Sequence, residues 1–342
     1  MRPDAWVARW WAGRAGAAGA VASVALAPVE GLFRAAAAAR NAAFDRGWMR
    51  AERVPVPVIS IGNLAVGGAG KTPFAAWIAA RLLAWGRKPA IALRGYGQDE
   101  VILHRELNPT IPVFSAARRV EAARAAIATG CDAVVLDDGF QHRSLARDLD
   151  IVLVAVESWS PRPRLLPRGP WREGPGALAR ADVVVLTRKT APLARAEEVA
   201  AELGRMHPGK PIALCALETA PGLRMLHSGG LEVDAGMMRG HSVVAVAALA
   251  TPGPFIAQVR AMAAEVDAAL FRDHHAFTRD DAIALVQRAA GRPILMTRKD
   301  AVKLRELIPA GTDAYVVEQR VVLERGGEAL DAALRAALEA RG

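Results

Sequence analysis

Residues 54–72 read VPVPVISIGNLAVGGAGKT, and the fold follows from how this stretch is read. Its first half alternates and then runs apolar with β-branched residues, which predicts a buried strand over residues 56–61. A glycine-rich turn follows at once, Ala65-Val66-Gly67-Gly68-Ala69-Gly70-Lys71-Thr72, and PFAAWIAARLLAW over residues 73–85 has the character of a helix. Strand, loop and helix in that order make a phosphate cradle. Backbone N–H groups surround the phosphates, Lys71 reaches the β/γ oxygens of ATP, the Thr72 hydroxyl serves Mg²⁺, and the helix N-terminus adds partial positive charge. Pro73 costs little so early in a helix. The strict pattern wants glycine where Ala65 stands, and Gly67 and Gly68 supply the missing freedom.

Other blocks carry candidate chemistry. In CDAVVLDDGFQH a strand over residues 133–136 ends in Asp137-Asp138, and a parallel sheet sets such side chains over its carboxyl edge, where they hold Mg²⁺ or its waters. The plain alternative is a solvated acidic turn. A strand over residues 89–93 leads into LRGYGQDE, where Asp99 and Glu100 are candidate bases for an attacking hydroxyl; an acidic pair there also suits a solvated cap. In FRDHHAFT, His274 or His275 could orient a carboxylate base, against the alternative of a surface histidine pair, and no further ligand stands at zinc spacing. SWSPRPRLLPRGPWRE, residues 158–173, holds four arginines and four prolines, which suits phosphate-binding forks or a rigid linker between domains.

Composition frames these motifs. At 342 residues, with 52% hydrophobic and 23% charged residues, the chain reads as a folded body of two domains. Cys131 and Cys215 are too few for a disulfide framework, which fits a reducing compartment. A net charge of +9 favours anionic partners, yet aromatic residues are only 5% and no aromatic-basic platform appears, so nucleic acid ranks last among them. Apolar runs at 182–186, 211–214, 242–248 and 293–296, separated by helical stretches, predict a second parallel α/β unit.

The N-terminus has its own pattern. Trp6, Val7, Trp10 and Trp11 share one side of a helical wheel, and residues 1–53 carry eight Arg against four acids. That suits a helix lying on an anionic lipid surface, and equally a helix packed on its own domain. The uncharged run over residues 15–27 falls short of the roughly 20 residues that span a bilayer. A secretory signal is a weaker reading, because a nucleotide site follows.

Five blocks together, IGNLAVGGAGKTP (61–73), LRGYG (93–97), LDDGFQHR (136–143), LPRGPWRE (166–173) and FRDHHAFT (271–278), resemble the tetraacyldisaccharide 4'-kinase family in order and spacing over roughly residues 1–305. The resemblance implies an α/β fold: a P-loop NTPase-type parallel sheet domain (49–157), an Arg/Pro-rich interdomain segment (158–175) and a second, smaller Rossmann-like domain (176–325). An N-terminal amphipathic, membrane-associating segment (1–48) would precede them, and a C-terminal helix (326–342) would pack back on the first domain. It implies ATP-dependent phosphorylation of the 4' hydroxyl of a tetraacyldisaccharide 1-phosphate, giving lipid IVA and ADP, with the acceptor entering between domains. ATP would lie on residues 65–72 and Arg172. Mg²⁺ would be held by Thr72 and Asp138, with Asp137 and Glu173 as further ligands. Asp99 paired with His274 would deprotonate the hydroxyl, with Lys71 on the transferring phosphoryl group. The enzyme would sit in the cytoplasm, peripherally on the inner membrane, its partners being the acylated disaccharide phosphate and the anionic membrane surface, with no nucleic acid and no protein partner inferred. Departures from the family pattern are QDEV at residues 98–101 in place of a longer insertion and GDEP, ALATPGPF at 248–255 with two glycines lost, and TRKD at 297–300 in place of TEKD. A rival class is a P-loop NTPase switch or metallochaperone that hydrolyses nucleotide to control a partner.

Overall fold

The computed structural model of the protein describes residues 3–95, 98–228 and 231–341. The chain forms two compact units. Unit 1 comprises residues 1–97, 104–216 and 323–342; unit 2 comprises residues 98–103 and 217–322.

Unit 1 begins with helices α1 (Pro3–Trp11), α2 (Gly16–Ala25) and α3 (Ala27–Asp45). The phosphate-loop strand β1 (Val58–Asn63) is buried throughout, as its unbroken apolar run requires of a central parallel strand. Then come α4 (Lys71–Ala84), β2 (Pro89–Arg94), α5 (Gln98–Leu107), β3 (Val113–Ala116), α6 (Arg119–Ala128), β4 (Ala133–Asp137), β5 (Leu149–Ala155), β6 (Val183–Arg188), α7 (Leu193–Met206) and β7 (Ile212–Met225). Helix α5 and strand β7 cross the unit boundary along the chain. The sheet of unit 1 is parallel, in the order β3-β2-β4-β1-β5-β6-β7. Phe74, Ile78 and Leu82, four residues apart, bury one face of α4. Strand β1 lies between β4 and β5, with Ile61 opposite Asp137, so the glycine loop and the acidic strand end leave the same edge side by side.

Unit 2 holds β8 (Glu232–Asp234), β9 (Ser242–Ala247), α8 (Gly253–Met262), β10 (Glu265–Leu270), α9 (Arg279–Ala289), β11 (Ile294–Thr297), α10 (Arg298–Leu304) and most of β12 (Ala314–Arg325). Strands β10, β9, β11 and β12 run parallel, and β8 is antiparallel to the end of β7. Helix α11 (Gly327–Glu339) belongs to unit 1, where Asp331 accepts two hydrogen bonds from the Arg81 guanidinium of α4.

Two expectations need correcting, the start of the second unit and the part played by residues 158–175. The second unit begins at residue 217, not 176, because β6 joins the phosphate-loop sheet in register with β5 (Ile151 opposite Val183) and α7 buries Ala196, Val199 and Leu203 in the same core. It ends at 322, with a short contribution from residues 98–103.

Residues 158–175 are not an interdomain linker. Trp159 and Trp171 sit in the core of unit 1, their rings 6.0 Å apart edge to face, where burial of two large indoles anchors the segment.

The tryptophan face of α1 also packs on the protein in part. Trp10 is 6% exposed and its indole N–H donates to Ser23 Oγ at 2.8 Å, while the Trp11 indole donates to the Pro167 carbonyl at 3.0 Å. No single helix among the described residues is long and apolar enough to cross a membrane.

Candidate active site

The loop after β1 turns on Gly67 (φ +119°) and Gly70 (φ +84°), conformations that a Cβ would strain. Ala65 has no such requirement. It pairs with Trp171 in an isolated antiparallel bridge, and its carbonyl accepts from Asn63 Nδ2 at 2.6 Å, so the residue that departs from the glycine pattern fits without penalty. The Arg/Pro block is the outer wall of the loop: Val66 N–H donates to the Pro170 carbonyl (2.7 Å) and Arg172 N–H to the Leu64 carbonyl (2.7 Å). From the other side, Thr187 Oγ donates to the Ala69 carbonyl (3.0 Å) and Lys189 Nζ to the Gly68 carbonyl (2.9 Å). Because a trans peptide points its N–H opposite its C=O, fixing these carbonyls also fixes which way the next amides face. Glu157 holds the Lys189 turn by accepting from the backbone N–H groups of Lys189 (2.6 Å) and Thr190 (3.0 Å).

Lys71 and Thr72 open α4 and meet the acidic strand end. Lys71 Nζ lies 3.5 Å from Asp138 Oδ1, and Arg172 Nη1 reaches both Asp138 oxygens at 3.1 and 3.2 Å. Burial alone would raise the Asp138 carboxyl, but the Lys71 and Arg172 cations outweigh it and hold the group below its ordinary value. Among the described residues, three non-glycine positions have positive φ: Asp138 (+54°), His274 (+56°) and Ala290 (+48°). Two of these carry candidate chemistry, the kind of place where backbone strain is retained.

Asp137 Oδ2 accepts from Thr72 Oγ1 at 3.0 Å and lies 3.0 Å from His104 Nε2, while Oδ1 is buried with no protein partner. Among the described residues no group of three His, Cys, Asp or Glu side chains could by itself hold a metal ion. Mg²⁺ takes one or two carboxylates plus phosphate and water. The Thr72 hydroxyl and the free Asp137 oxygen supply hard oxygen donors beside the phosphate loop, so the residues present fit that ion. Glu173, expected as a further ligand, has several protein partners. It is buried, and its carboxylate already accepts from Asn41 Nδ2 (2.8 Å), Gln141 Nε2 (3.3 Å) and Arg180 Nη2 (2.8 Å). It therefore ties α3, the DGFQH turn and the Arg/Pro block together.

A cavity of about 180 Å³ in unit 1 is lined by Arg94, Arg118, Arg119, His142 and Ser144. Arg119 donates to the Asp138 carbonyl at 2.8 Å. Burial, then the Arg119 and Arg94 charges, push His142 down to about 4, so at neutral pH it adds hydrogen-bonding capacity without charge.

In unit 2, Asp99 and His274 do not form the expected direct pair. Asp99 Oδ2 pairs with Lys303 Nζ at 3.0 Å, and His274 Nε2 faces Lys299 Nζ at 3.3 Å. The two lysines stand one turn apart on α10, and Lys299 Nζ also reaches Asp273 Oδ1 at 3.3 Å. Burial and then Lys299 lower the His274 value, while Asp273 and Asp99 oppose this. His275 has a structural part: its ring stacks on Phe271 and Nε2 meets Asp281 Oδ2 at 3.0 Å, beside the Thr278–Asp281 capping box of α9. Glu100, the alternative base, lies beside Asp99 in the first turn of α5.

Sequence reasoning missed His104, Thr187, Lys189, Arg119 and the α10 lysines. Only TRKD and TRKT, two matching strand ends rich in cations, offered a signal for any of them.

A parallel sheet with a glycine loop at its switch point, followed by Lys71-Thr72 and flanked by two carboxylates, defines a P-loop nucleotide-binding α/β protein. The family model of the tetraacyldisaccharide-1-P 4'-kinases, LpxK, matches residues 22–101 and 97–339. The chain belongs to this family and is a kinase of lipid A biosynthesis. A tetraacyldisaccharide 4'-kinase of Anaeromyxobacter dehalogenans (strain 2CP-C) is 41% identical over 357 residues, covering 95% of this chain and 93% of the relative. That of Aromatoleum aromaticum is 38% identical over 316 residues, covering 86% and 89%. A crystal structure of LpxK from Aquifex aeolicus in complex with ATP superposes with a TM-score of 0.71 at 28% identity, covering 92% of this chain and 99% of that one.

Proposed function

We propose that the chain phosphorylates the 4' hydroxyl of a tetraacyldisaccharide 1-phosphate with ATP as donor, and that the phosphate loop of unit 1 is where ATP binds. The observation that carries this is Lys71 beside a glycine loop whose carbonyls are pinned by Thr187 and Lys189, with Asp137 and Asp138 at the adjoining strand end. The Aquifex relative was crystallised with ATP, which supports the same donor here.

Thr72 with Asp137, and Asp138 alongside, would hold Mg²⁺; when bound, that ion supplies charge neutralisation at the β- and γ-phosphates. Lys71 and Arg172 stabilise the negative charge of the transferring phosphoryl group, Lys71 as a point charge and Arg172 as a donor fork. Asp99 takes the proton of the acceptor hydroxyl, and His274 with Lys299 and Lys303 sets the charge around it. The Lys303 ammonium, 3.0 Å from Asp99 Oδ2, holds that carboxylate in a fixed position. Arg94, Arg118 and Arg119 offer a cationic recess for the phosphate that the acceptor already carries. The basic N-terminal segment and its exposed apolar side chains suit work at the cytoplasmic face of an anionic inner membrane.

The test is transfer of labelled phosphorus from ATP to a monophosphorylated acylated disaccharide, with a non-acylated sugar in parallel. Product carrying the label is the expected result. ATP hydrolysis that neither responds to the lipid nor labels it would hand the role to a nucleotide-driven switch.

A further inference from the structure

His104 is wholly buried in the last turn of α5, and its Nε2 lies 3.0 Å from Asp137 Oδ2. An ionised carboxylate only accepts hydrogen bonds, so in this contact His104 is the donor, through Nε2. Nδ1 has no partner and is buried. A leucine or methionine would fill such a place in a helix without stranding a ring nitrogen, so packing does not explain a histidine here.

The neighbourhood of Asp137 does explain it. Thr72 and His104 both donate to Oδ2, from opposite elements, while Oδ1 is left with no protein partner in a site shielded from water. Two donors on one oxygen fix the rotation of the carboxylate about its Cβ–Cγ bond and commit the other oxygen to a cation. The bond from Thr72 also orients its hydroxyl so that the oxygen lone pairs face away from Asp137, toward the phosphate loop.

We propose that His104 is a positioning residue for Mg²⁺: it holds Asp137 in the rotation that presents Oδ1 to the ion, without touching the ion, nucleotide or acceptor itself. The same helix carries Asp99 and Glu100 in its first turn. This rests on the reading of Asp137 as a carboxylate facing Mg²⁺.

The experiment is a Mn²⁺ titration of the full chain, followed by electron paramagnetic resonance, with a non-hydrolysable ATP analogue bound. It compares wild type, His104→Leu, His104→Gln and Asp137→Asn, with analogue affinity in the absence of metal as a parallel measurement. We expect His104→Leu to weaken Mn²⁺ binding about 10- to 100-fold, the range for losing the partner of a ligating group, and His104→Gln, whose amide N–H can take the place of Nε2, to recover most of it. Metal-free analogue affinity stays unchanged. Wild-type Mn²⁺ affinity in His104→Leu, while Asp137→Asn loses it, overturns the proposal and leaves Asp137 in place. Unchanged affinity in Asp137→Asn removes the reading beneath it, and the proposal with it. If His104→Leu fails to fold, ¹⁵N NMR of wild-type imidazoles decides, with the His104 signal assigned by its loss in His104→Gln: a shift of Nε2 on adding Mg²⁺ to the analogue complex supports the proposal, and a stationary signal overturns it.

Discussion

Lys71 Nζ stands 3.5 Å from Asp138 Oδ1, and Arg172 Nη1 reaches the same oxygen at 3.1 Å. The phosphate-loop lysine and the arginine of the Arg/Pro block are thus held in place by one acid at the strand end. Lys71→Ala removes both a charge on the phosphoryl group and half of this arrangement. We expect kcat to fall by about 10²-fold or more while the thermal midpoint stays within a few degrees. Steady-state kinetics and a thermal scan check it, and near-wild-type kcat would remove Lys71 from the reaction. Asp138→Asn should impair the same step by freeing Arg172.

Asp99 sits in an ion pair with Lys303, and His274 Nε2 is beside Lys299. If Asp99 takes the acceptor proton, Asp99→Asn lowers kcat far more than it alters the affinity for either substrate, since a base acts in the transition state. Lys303→Met is expected to lower kcat less. It leaves the carboxylate in place and removes only its ion-pair partner, so kcat set against the affinities for both substrates in the two variants separates proton transfer from positioning. An Asp99→Asn enzyme with unchanged kcat moves the base to Glu100.

How far the sequence reaches can be judged from particular residues. The glycine loop and Asp137-Asp138 were legible because each is a contiguous run at the end of a β-branched strand, where local pattern and function coincide. His104 was not, since QDEVILHREL reads as an ordinary helix and its meeting with Asp137 spans 33 residues. Lys189 was missed for a like reason: its bond to Gly68 spans 121 residues. The Arg/Pro block looked like a linker because proline and arginine dominate its composition, while its placement is decided by Trp159 and Trp171. Domain limits suffered most, because β6 reads as one more apolar run, and its register with β5 together with the packing of α7 places it in unit 1.

Acid should loosen unit 1 through His142. Its value falls from 6.5 to about 4 because burial and the Arg119 and Arg94 charges oppose protonation. Above 6.5 the imidazole is neutral both folded and unfolded, so it contributes no pH dependence. Between 6.5 and about 4 the unfolded chain takes up the proton and the folded one does not, so stability falls as the pH drops through that window. Asp138 acts in a different range: its depressed carboxyl contributes stability that persists above the ordinary aspartate value and is lost only below it. Urea unfolding of His142→Gln should therefore show a shallower decline between these limits than wild type. An identical decline would assign the acid sensitivity to other groups.

The N-terminal helices make a separable prediction about membranes. Val21, Val24 and Leu32 of α2 and α3 are 69–75% exposed, and Trp48 just beyond α3 is 75% exposed, whereas Trp10 is buried against Ser23. The apolar surface available to lipid is therefore on α2, α3 and the turn after them, not on the buried part of the α1 tryptophan face. Val24→Asp combined with Leu32→Asp places charge on that surface and disturbs no core contact. Sedimentation with anionic vesicles should drop several-fold, while kcat on detergent-dispersed substrate and the thermal midpoint hold. Trp10→Ala should do the reverse, costing about 3–5 kcal/mol of stability as a buried indole is lost, with little direct effect on vesicle binding at temperatures where the variant is folded. If the double aspartate variant sediments like wild type, the exposed valine and leucine face does not contact lipid, and the arginines of residues 1–53 become the group to neutralise next.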